Sequence, residues 1–150
     1  MVSLRRKLAE QEAKVLEATV LAAKYPGERF TILLGLVREQ EGVNEFDASM
    51  KDIHKAFYEV GKSHPKVLEG VTFDTRIAPW SVDLERSLGS MWVFSGQIGL
   101  DMLDNSVTLN PSLWSEAESL LAVKYDTREE EDEFRAAAHE LAVILKPRKQ

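Results

Sequence analysis

The chain has 150 residues, of which 44% are hydrophobic and 29% charged, which is the size and composition of one folded domain. A net charge of −6 and an isoelectric point near 5.2 argue against broad electrostatic attraction to nucleic acid or to an anionic membrane. The absence of cysteine excludes disulfides, thiolate metal sites and cysteine nucleophiles. We find no targeting signal and no apolar run of membrane-spanning length, so we expect a single-domain cytoplasmic protein that has no membrane partner.

The first predicted element is a helix over residues 3–25 with a thin apolar stripe. Alanine fills the second half of the stripe, which permits close helix packing but buries little area. Two interpretations stay open, since the helix can pack on its own domain or pair with a second chain. The stripe consists of Leu4, Leu8, Val15, Ala18, Ala22 and Tyr25.

A second helix is predicted over residues 28–40, after the Pro26-Gly27 break. Apolar side chains cover so much of its circumference that it must be largely enclosed, and we expect it to be the central core helix. Glu41-Gly42 stops it, and residues 43–46 are predicted to form a short extended piece. Its apolar residues are Phe30, Leu33, Leu34, Leu36 and Val37.

A third helix is predicted from a cap at Asp47 or Ser49 to about Ser63. Its apolar positions recur at helical spacing and indicate one buried face. The opposite face is basic and is either a solvated surface, partly balanced by Asp52 and Glu59, or a surface that contacts phosphates. The buried face holds Met50, Ile53, Phe57 and Val60, and the basic face holds Lys51, Lys55, Tyr58 and Lys62.

Residues 71–77 alternate between apolar and polar side chains, which predicts a half-buried strand that joins a later hairpin in a three-stranded sheet. Ser81 then caps a helix that ends at Gly96, with one apolar face. Beyond Gly99 the period drops to two, which predicts a hairpin turning at residues 104–106. The helix face consists of Leu84, Leu88, Met91 and Trp92, and the hairpin is expected to oppose Leu100 and Met102 to Val107 and Leu109.

Residues 112–123 are predicted to form a short helix or an irregular cover piece, and a final helix is predicted over residues 126–146 with Asp126 or Thr127 as its cap. The last one starts with an acidic run, which is favourable near a helix amino end. Its apolar face and the stripe of the first helix lie outside the central unit and need something to cover them, so we predict self-association through these terminal helices. The predicted self-association residues are Leu4, Leu8, Val15, Phe134, Leu141 and Leu145.

No motif of enzymatic chemistry is present. The three histidines, His54, His64 and His139, lack the close spacing of a helical metal pair, and we expect each to be a surface or partly packed residue. Neither a phosphate-binding loop, a dinucleotide fingerprint nor a nucleophile elbow occurs. We therefore predict no catalytic residue, no metal and no cofactor, although catalytic sets assembled from distant residues leave no local motif.

The order of these elements resembles that of winged-helix domains. The features that carry the resemblance are the enclosed helix, the helix with the rhythm Ser81-x-x-Leu84-x-x-x-Leu88, and the hairpin that closes at Asn110-Pro111. Within that superfamily the chain is similar to the phage-associated and antitoxin-associated Panacea-type group, in which a Pro-aromatic-Ser step introduces the helix before the wing. The resemblance covers residues 30–114, leaves both terminal helices outside, and implies a regulatory or interaction domain.

The charges at the expected DNA-contacting positions disfavour the usual winged-helix mode. The helix before the hairpin begins with Asp83 and Glu85 and carries a single Arg86, and Asp104 lies at the wing tip. Carboxylates at these positions repel phosphates. We therefore expect an α+β winged-helix-like protein that is a non-enzymatic regulatory or protein-interaction module. The alternative is a DNA-binding regulator that uses the basic face, and an enzyme without a local motif is a distant third.

Overall fold

The structure is a computed structural model that describes residues 26–125 and 127–147. In this part of the chain, five α-helices and a small antiparallel sheet form an α+β fold. The elements are α1 (Pro26–Glu41), β1 (Glu45–Asp47), α2 (Met50–Ser63), α3 (Val82–Val93), β2 (Ile98–Asp101), β3 (Ser106–Leu109), α4 (Pro111–Lys124), α5 (Arg128–Ile144) and β4 (Lys146–Pro147).

Helix α1 is the centre of the core, as its apolar composition predicts. Residues 29–37 are all buried, and α3, α4 and α5 pack around them. The approach of α4 is especially close, because a Cβ added to Gly35 would lie 2.4 Å from the Cβ of Ala117. Glycine at position 35 and alanine at position 117 thus set the distance between these two helices.

Helix α2 begins after Ser49, which is one of the two predicted caps. The Ser49 hydroxyl accepts a hydrogen bond from the backbone N–H of Asp52, and the Asp52 carboxylate accepts one from the backbone N–H of Ser49. This reciprocal pair satisfies two backbone donors that the first turn leaves open. The predicted apolar face then packs on α1, where the ring of Phe57 meets the ring of Phe30 edge to face at 5.3 Å.

The sheet has the strand order β2-β3-β1-β4, and all its pairings are antiparallel. The prediction that residues 71–77 supply a sheet strand is wrong. Glu45–Asp47 takes that place beside β3, with Phe46 opposite Val107. Residues 71–77 instead belong to an irregular segment between α2 and α3, in which Asp74 and Trp80 form an isolated bridge.

The alternation over residues 71–77 has a different cause from the one predicted. Val71 and Phe73 are half-buried because they pack against the core beside α2, and the ring of Phe73 lies 5.4 Å from that of Tyr58. Ile77, the third apolar residue of the pattern, is fully exposed. Short apolar alternation thus reflects local packing here, since β1 already occupies the edge of β3 that this segment would need.

The hairpin forms, with its register shifted from the predicted one. Ile98 pairs with Leu109 and Leu100 with Val107, so Met102 lies in the turn and is largely exposed. Two features fix this turn: Asn105 has φ 51°, and the Asp101 carboxylate accepts hydrogen bonds from the backbone N–H groups of Leu103 and Asp104.

Of the fourteen residues that the sequence predicts for the core, all but Phe73 and Trp92 are buried, and Met50 on the predicted buried face of α2 is half-buried. Phe73 is half-buried, and Trp92 is 43% exposed because it lies on the flank of α3 rather than on its inner face. The buried members are Leu33, Leu34, Leu36, Val37, Ile53, Phe57, Val60, Leu84, Leu88, Met91, Val107 and Leu109.

The chain beyond residue 114 is built into the same core. Helix α4 covers α1 where Gly35 permits close contact, and α5 packs on α1 and α2. After α5, β4 pairs with β1 and extends the sheet. The final helix is therefore an integral part of this fold. The sequence analysis predicted instead that it lies outside the central unit.

Truncation of a core residue should destabilise the protein strongly. Leu88→Ala and Phe57→Ala each remove a side chain that is at most 1% exposed, so we expect a loss of about 2 to 5 kcal/mol in the free energy of unfolding. The matched control is Ile77→Ala, which removes a fully exposed side chain and should change stability by less than about 0.5 kcal/mol. Urea unfolding followed by circular dichroism measures all three values, and equal effects would contradict the assigned core.

Candidate functional site

Helix α3 is held by its inner face and by its first turn. Leu84, Leu88 and Met91 are buried against the core. At its start, the buried hydroxyl of Ser81 accepts a hydrogen bond from the backbone N–H of Leu84 at 3.2 Å. At about 100° per residue, this orientation turns Val82, Arg86, Gly89 and Val93 to the opposite side of the helix.

The outer side of α3 is an exposed apolar surface. Val93 is 67% exposed and Phe94, which follows it as the helix cap, is 86% exposed. Gly89 lies in the middle of the helix with open space around it, since a Cβ added there would meet no atom within 4 Å. We call this surface the α3 patch, and its residues are Val82, Arg86, Gly89, Trp92, Val93 and Phe94.

Acidic groups dominate the charge around the patch. Asp83 and Glu85 lie in the first turn of α3, and Arg86 is the one basic residue of that helix. The Glu85 carboxylate accepts a hydrogen bond from the indole N–H of Trp80 at 3.2 Å, which holds it beside the start of α3. The helix therefore presents apolar and acidic groups where a DNA-reading helix presents basic and amide groups.

A groove of about 470 Å³ runs along α3 between this helix and the start of α1. Most of the residues that line it are polar in type, and the buried Gln97 donates a side-chain hydrogen bond to the Glu116 carboxylate. Glu28 is held at the α1 side by an ion pair with Lys124 at 2.5 Å. We call this the α1–α3 groove, and its lining includes Gly27, Thr31, Ser87, Ser90, Ser95 and Glu116.

The predicted basic face of α2 is present but carries less free positive charge than the sequence suggests. Lys51, Lys55 and Lys62 are exposed along one side of the helix. Lys62 pairs with Glu59 at 3.6 Å and lies 5.1 Å above the ring of Tyr58. Tyr58 itself packs on the segment that follows α2, so it stabilises the fold and is not a free stacking platform.

Carboxylates surround the amino-terminal part of this basic face. Lys55 lines a cavity of about 480 Å³ between α2 and the tip of the hairpin. The same cavity is lined by four acidic residues, which reduce the local positive potential that a phosphate group would meet. These residues are Asp47, Asp52, Glu59 and Asp104.

His54 is the residue whose importance the sequence interpretation missed. We expected a surface or partly packed side chain, yet His54 is fully buried, and its Nδ1 accepts a hydrogen bond from the backbone N–H of Ser81 at 2.9 Å. Its ring stacks on Trp80 with a centroid distance of 3.7 Å. The available signal was its helical position, about 60° from Phe57 on the apolar arc of α2.

The contact between His54 and Ser81 requires a neutral imidazole. Because Nδ1 is the acceptor, the ring proton lies on Nε2, which is buried and has no hydrogen-bond partner in the part of the chain that the structure describes. Burial lowers the pKa of His54 to about 4, and the nearby Glu85 carboxylate opposes this shift. His54 therefore anchors the amino end of α3 to α2 only while it is uncharged.

Three of the predicted self-association residues are not available for a second chain. Phe134, Leu141 and Leu145 are at most 3% exposed and pack in the core of this chain. The prediction is wrong for them, because α1 already covers the apolar face of α5. The other three residues, Leu4, Leu8 and Val15, lie outside the described part of the chain.

The remaining histidines join helices through carboxylates. His64 lies between Glu133 and Glu140 of α5, with nitrogen–oxygen distances of 3.1 and 3.0 Å. His139 contacts Glu41 of α1 at 2.7 Å. Over residues 26–125 and 127–147, no group of three or more His, Asp or Glu side chains is arranged to hold a metal ion.

Comparison with known proteins assigns no family to the chain. No protein-family model, no curated protein and no solved structure matches it. Within the described ranges, none of the helices combines the length and the apolar character that crossing a bilayer requires.

Acidification should weaken the fold through His54. The pKa of this side chain is about 4 in the folded protein, against 6.5 for the ordinary group, so the unfolded chain binds more protons between these pH values. The free energy of unfolding is therefore at its full value above pH 6.5 and decreases as the pH falls towards 4. The expected decrease between pH 7 and pH 5 is about 2 kcal/mol.

Urea unfolding at pH 7 and pH 5 measures this difference. His54→Asn is the matched variant, because its amide oxygen can accept the hydrogen bond from Ser81 but does not titrate. The variant should lose this part of the pH dependence. An identical decrease in both proteins would show that other groups cause it.

Proposed function

We propose that this protein is a non-enzymatic regulatory module that binds another protein through the α3 patch, on a winged-helix-like scaffold. The observation that carries the proposal is the exposure of Trp92, Val93 and Phe94 at the end of the helix that precedes the hairpin. Grouped exposed apolar side chains of this size are typical of protein-binding surfaces, and tryptophan is among the residues enriched at the energetic centre of such interfaces.

The order of the elements supports the scaffold that we propose. A helix, a strand, two helices and a hairpin follow one another, and β3 lies between β1 and β2 as in a winged helix. In that arrangement α3 has the place of the recognition helix and the hairpin that of the wing. The proposed function uses this helix for protein association, since a fold does not determine which partner its exposed helix binds.

The proposed partner-binding mode can be tested with a double substitution in the patch. Val93→Glu with Phe94→Glu changes two exposed side chains, so the fold should persist while the apolar surface is lost. In quantitative affinity capture from the native cell extract, we expect at least one protein to be recovered about tenfold less with the variant than with wild type. The control is Ile77→Glu, a fully exposed position outside the patch. The proposal fails if no protein distinguishes the patch variant from wild type.

DNA binding through the basic face of α2 is the second candidate function. The observation in its favour is the exposure of Lys51, Lys55 and Lys62 on one side of the helix. Each lysine that neutralises a phosphate releases counterions, so this mode depends steeply on salt. The carboxylates beside Lys55 oppose it, which is why we place it second.

A titration with duplex DNA at two salt concentrations tests this second candidate. We expect weak binding that decreases at the higher salt concentration and is lost when Lys51, Lys55 and Lys62 are all changed to Glu. Arg86→Ala should leave this binding unchanged. Tight binding that Arg86→Ala abolishes would instead establish α3 as a DNA-reading helix and contradict both the basic-face mode and the proposed role of the patch.

A further inference from the structure

His64 joins the end of α2 to helix α5. It is the cap residue that follows α2, and its backbone N–H donates a hydrogen bond to the carbonyl of Val60 at 2.8 Å. Its ring contacts α5 through both nitrogens, since Nδ1 lies 3.1 Å from Oε2 of Glu133 and Nε2 lies 3.0 Å from Oε2 of Glu140. The His64 side chain is only 19% exposed. We call His64, Glu133 and Glu140 the His64 clasp.

Helix α5 presents both carboxylates to the ring by its own geometry. Glu133 and Glu140 are seven residues apart, which is about two helical turns, so they lie on the same side of α5. The Ser63 hydroxyl donates a hydrogen bond to the other oxygen of Glu140 at 2.9 Å and helps to hold that carboxylate in place. The two carboxylates therefore contact different nitrogens of one imidazole, and the three side chains do not form a metal site.

Only a protonated His64 ring can make both contacts as hydrogen bonds. Ionised carboxylates accept hydrogen bonds and cannot donate them, so each ring nitrogen must carry a proton. A neutral imidazole has one N–H and one lone pair, and this lone pair would face a carboxylate oxygen, which repels it. The carboxyl end of α2 also favours a cation at His64, because the last carbonyls of a helix carry partial negative charge.

The other charged groups near the clasp belong to α1, α2, the turn after α2 and α5. Around Glu133 they are two cations and two carboxylates, which line one cavity with it, and on α2 the charges are paired. These groups offset each other, so Glu133 and Glu140 themselves set the charge that acts on the His64 ring. The groups are Arg29, Lys66, Glu69 and Glu130 around Glu133, and Lys62 with Glu59 on α2.

We propose that the His64 clasp is a proton-operated contact, in which His64 binds both glutamates when both ring nitrogens are protonated and loses one of them when the ring is neutral. Loss of the proton then loosens α5 from the end of α2. His54 and His64 thus act in opposite states, because His54 attaches α3 as a neutral acceptor and His64 attaches α5 as a charged donor. Acid weakens the first attachment and alkali the second.

The ring nitrogens of the three histidines provide a direct test, because each ring has a different environment. At about pH 5.5, nitrogen-15 NMR should show protons on both nitrogens of His64 that exchange slowly with water, and a proton on Nε2 alone of His54. His139 contacts only the Glu41 carboxylate in this part of the chain and its side chain is 66% exposed, so its ring protons should exchange faster. A His64 ring with one unprotonated nitrogen at every pH at which the protein is folded would overturn the proposal.

Hydrogen exchange of the α5 backbone amides measures the consequence for the helix. Between about pH 5.5 and about pH 8.5, protection of the amides near Glu140 should fall about threefold or more in wild type, after correction for the intrinsic exchange rates. His64→Gln should show no such fall, because its amide does not titrate. Comparison of the two proteins cancels the contribution of His54, which titrates in both.

His139→Gln is the matched control on the same helix. A neutral His139 can still donate from Nδ1 to Glu41, so this contact does not need a second proton, and the variant should keep the wild-type fall in protection. Equal protection of wild-type α5 at both pH values would reject the proposal, and so would an undiminished fall in His64→Gln. If His64→Gln does not fold, Glu140→Gln gives the same comparison, since its amide can donate to the neutral ring.

Discussion

The complete enclosure of helix α1 is the constraint on which the rest of this structure depends. Nine consecutive residues, 29–37, are buried, so apolar surface on every side of the helix must be covered. Elements from both halves of the chain meet this requirement, with α3 and α4 on some sides and α5 on another. Because α5 is used in this way, its apolar face is filled within the chain, whereas α3 and its cap keep Val93 and Phe94 exposed.

The orientation of α3 follows from two contacts that act together. Its inner residues Leu84 and Leu88 are buried in the core, and its first turn is attached to α2 through the hydrogen bond between Ser81 and His54. Trp80 stacks over the same imidazole and closes it off from solvent. His54 and Ser81 are distant in the sequence, and their contact helps to fix the rotation of α3 about its own axis. Helical geometry then places Val93 and Phe94 on the outer side.

The two candidate surfaces, the basic face of α2 and the α3 patch, differ more clearly in charge than in shape. The lysines of α2 lie among Asp47, Asp52, Glu59 and Asp104, so they belong to a mixed surface. The patch on α3 has an acidic border and a large apolar area, a combination that suits a partner with apolar and basic side chains.

Most of the helices that the structure describes and most of the core could be predicted from the sequence alone, because helical periodicity and cap chemistry act over a few neighbouring residues. Ser49, Ser81 and Thr127, each a candidate cap in the sequence, cap α2, α3 and α5. Long-range packing determines which segment joins the sheet, that α1 covers the apolar face of α5, and that His54 is buried beside Trp80. Each of these features depends on which distant segment packs against a given apolar face. Local patterns, such as those of residues 71–77 and of Phe134, Leu141 and Leu145, do not contain that information.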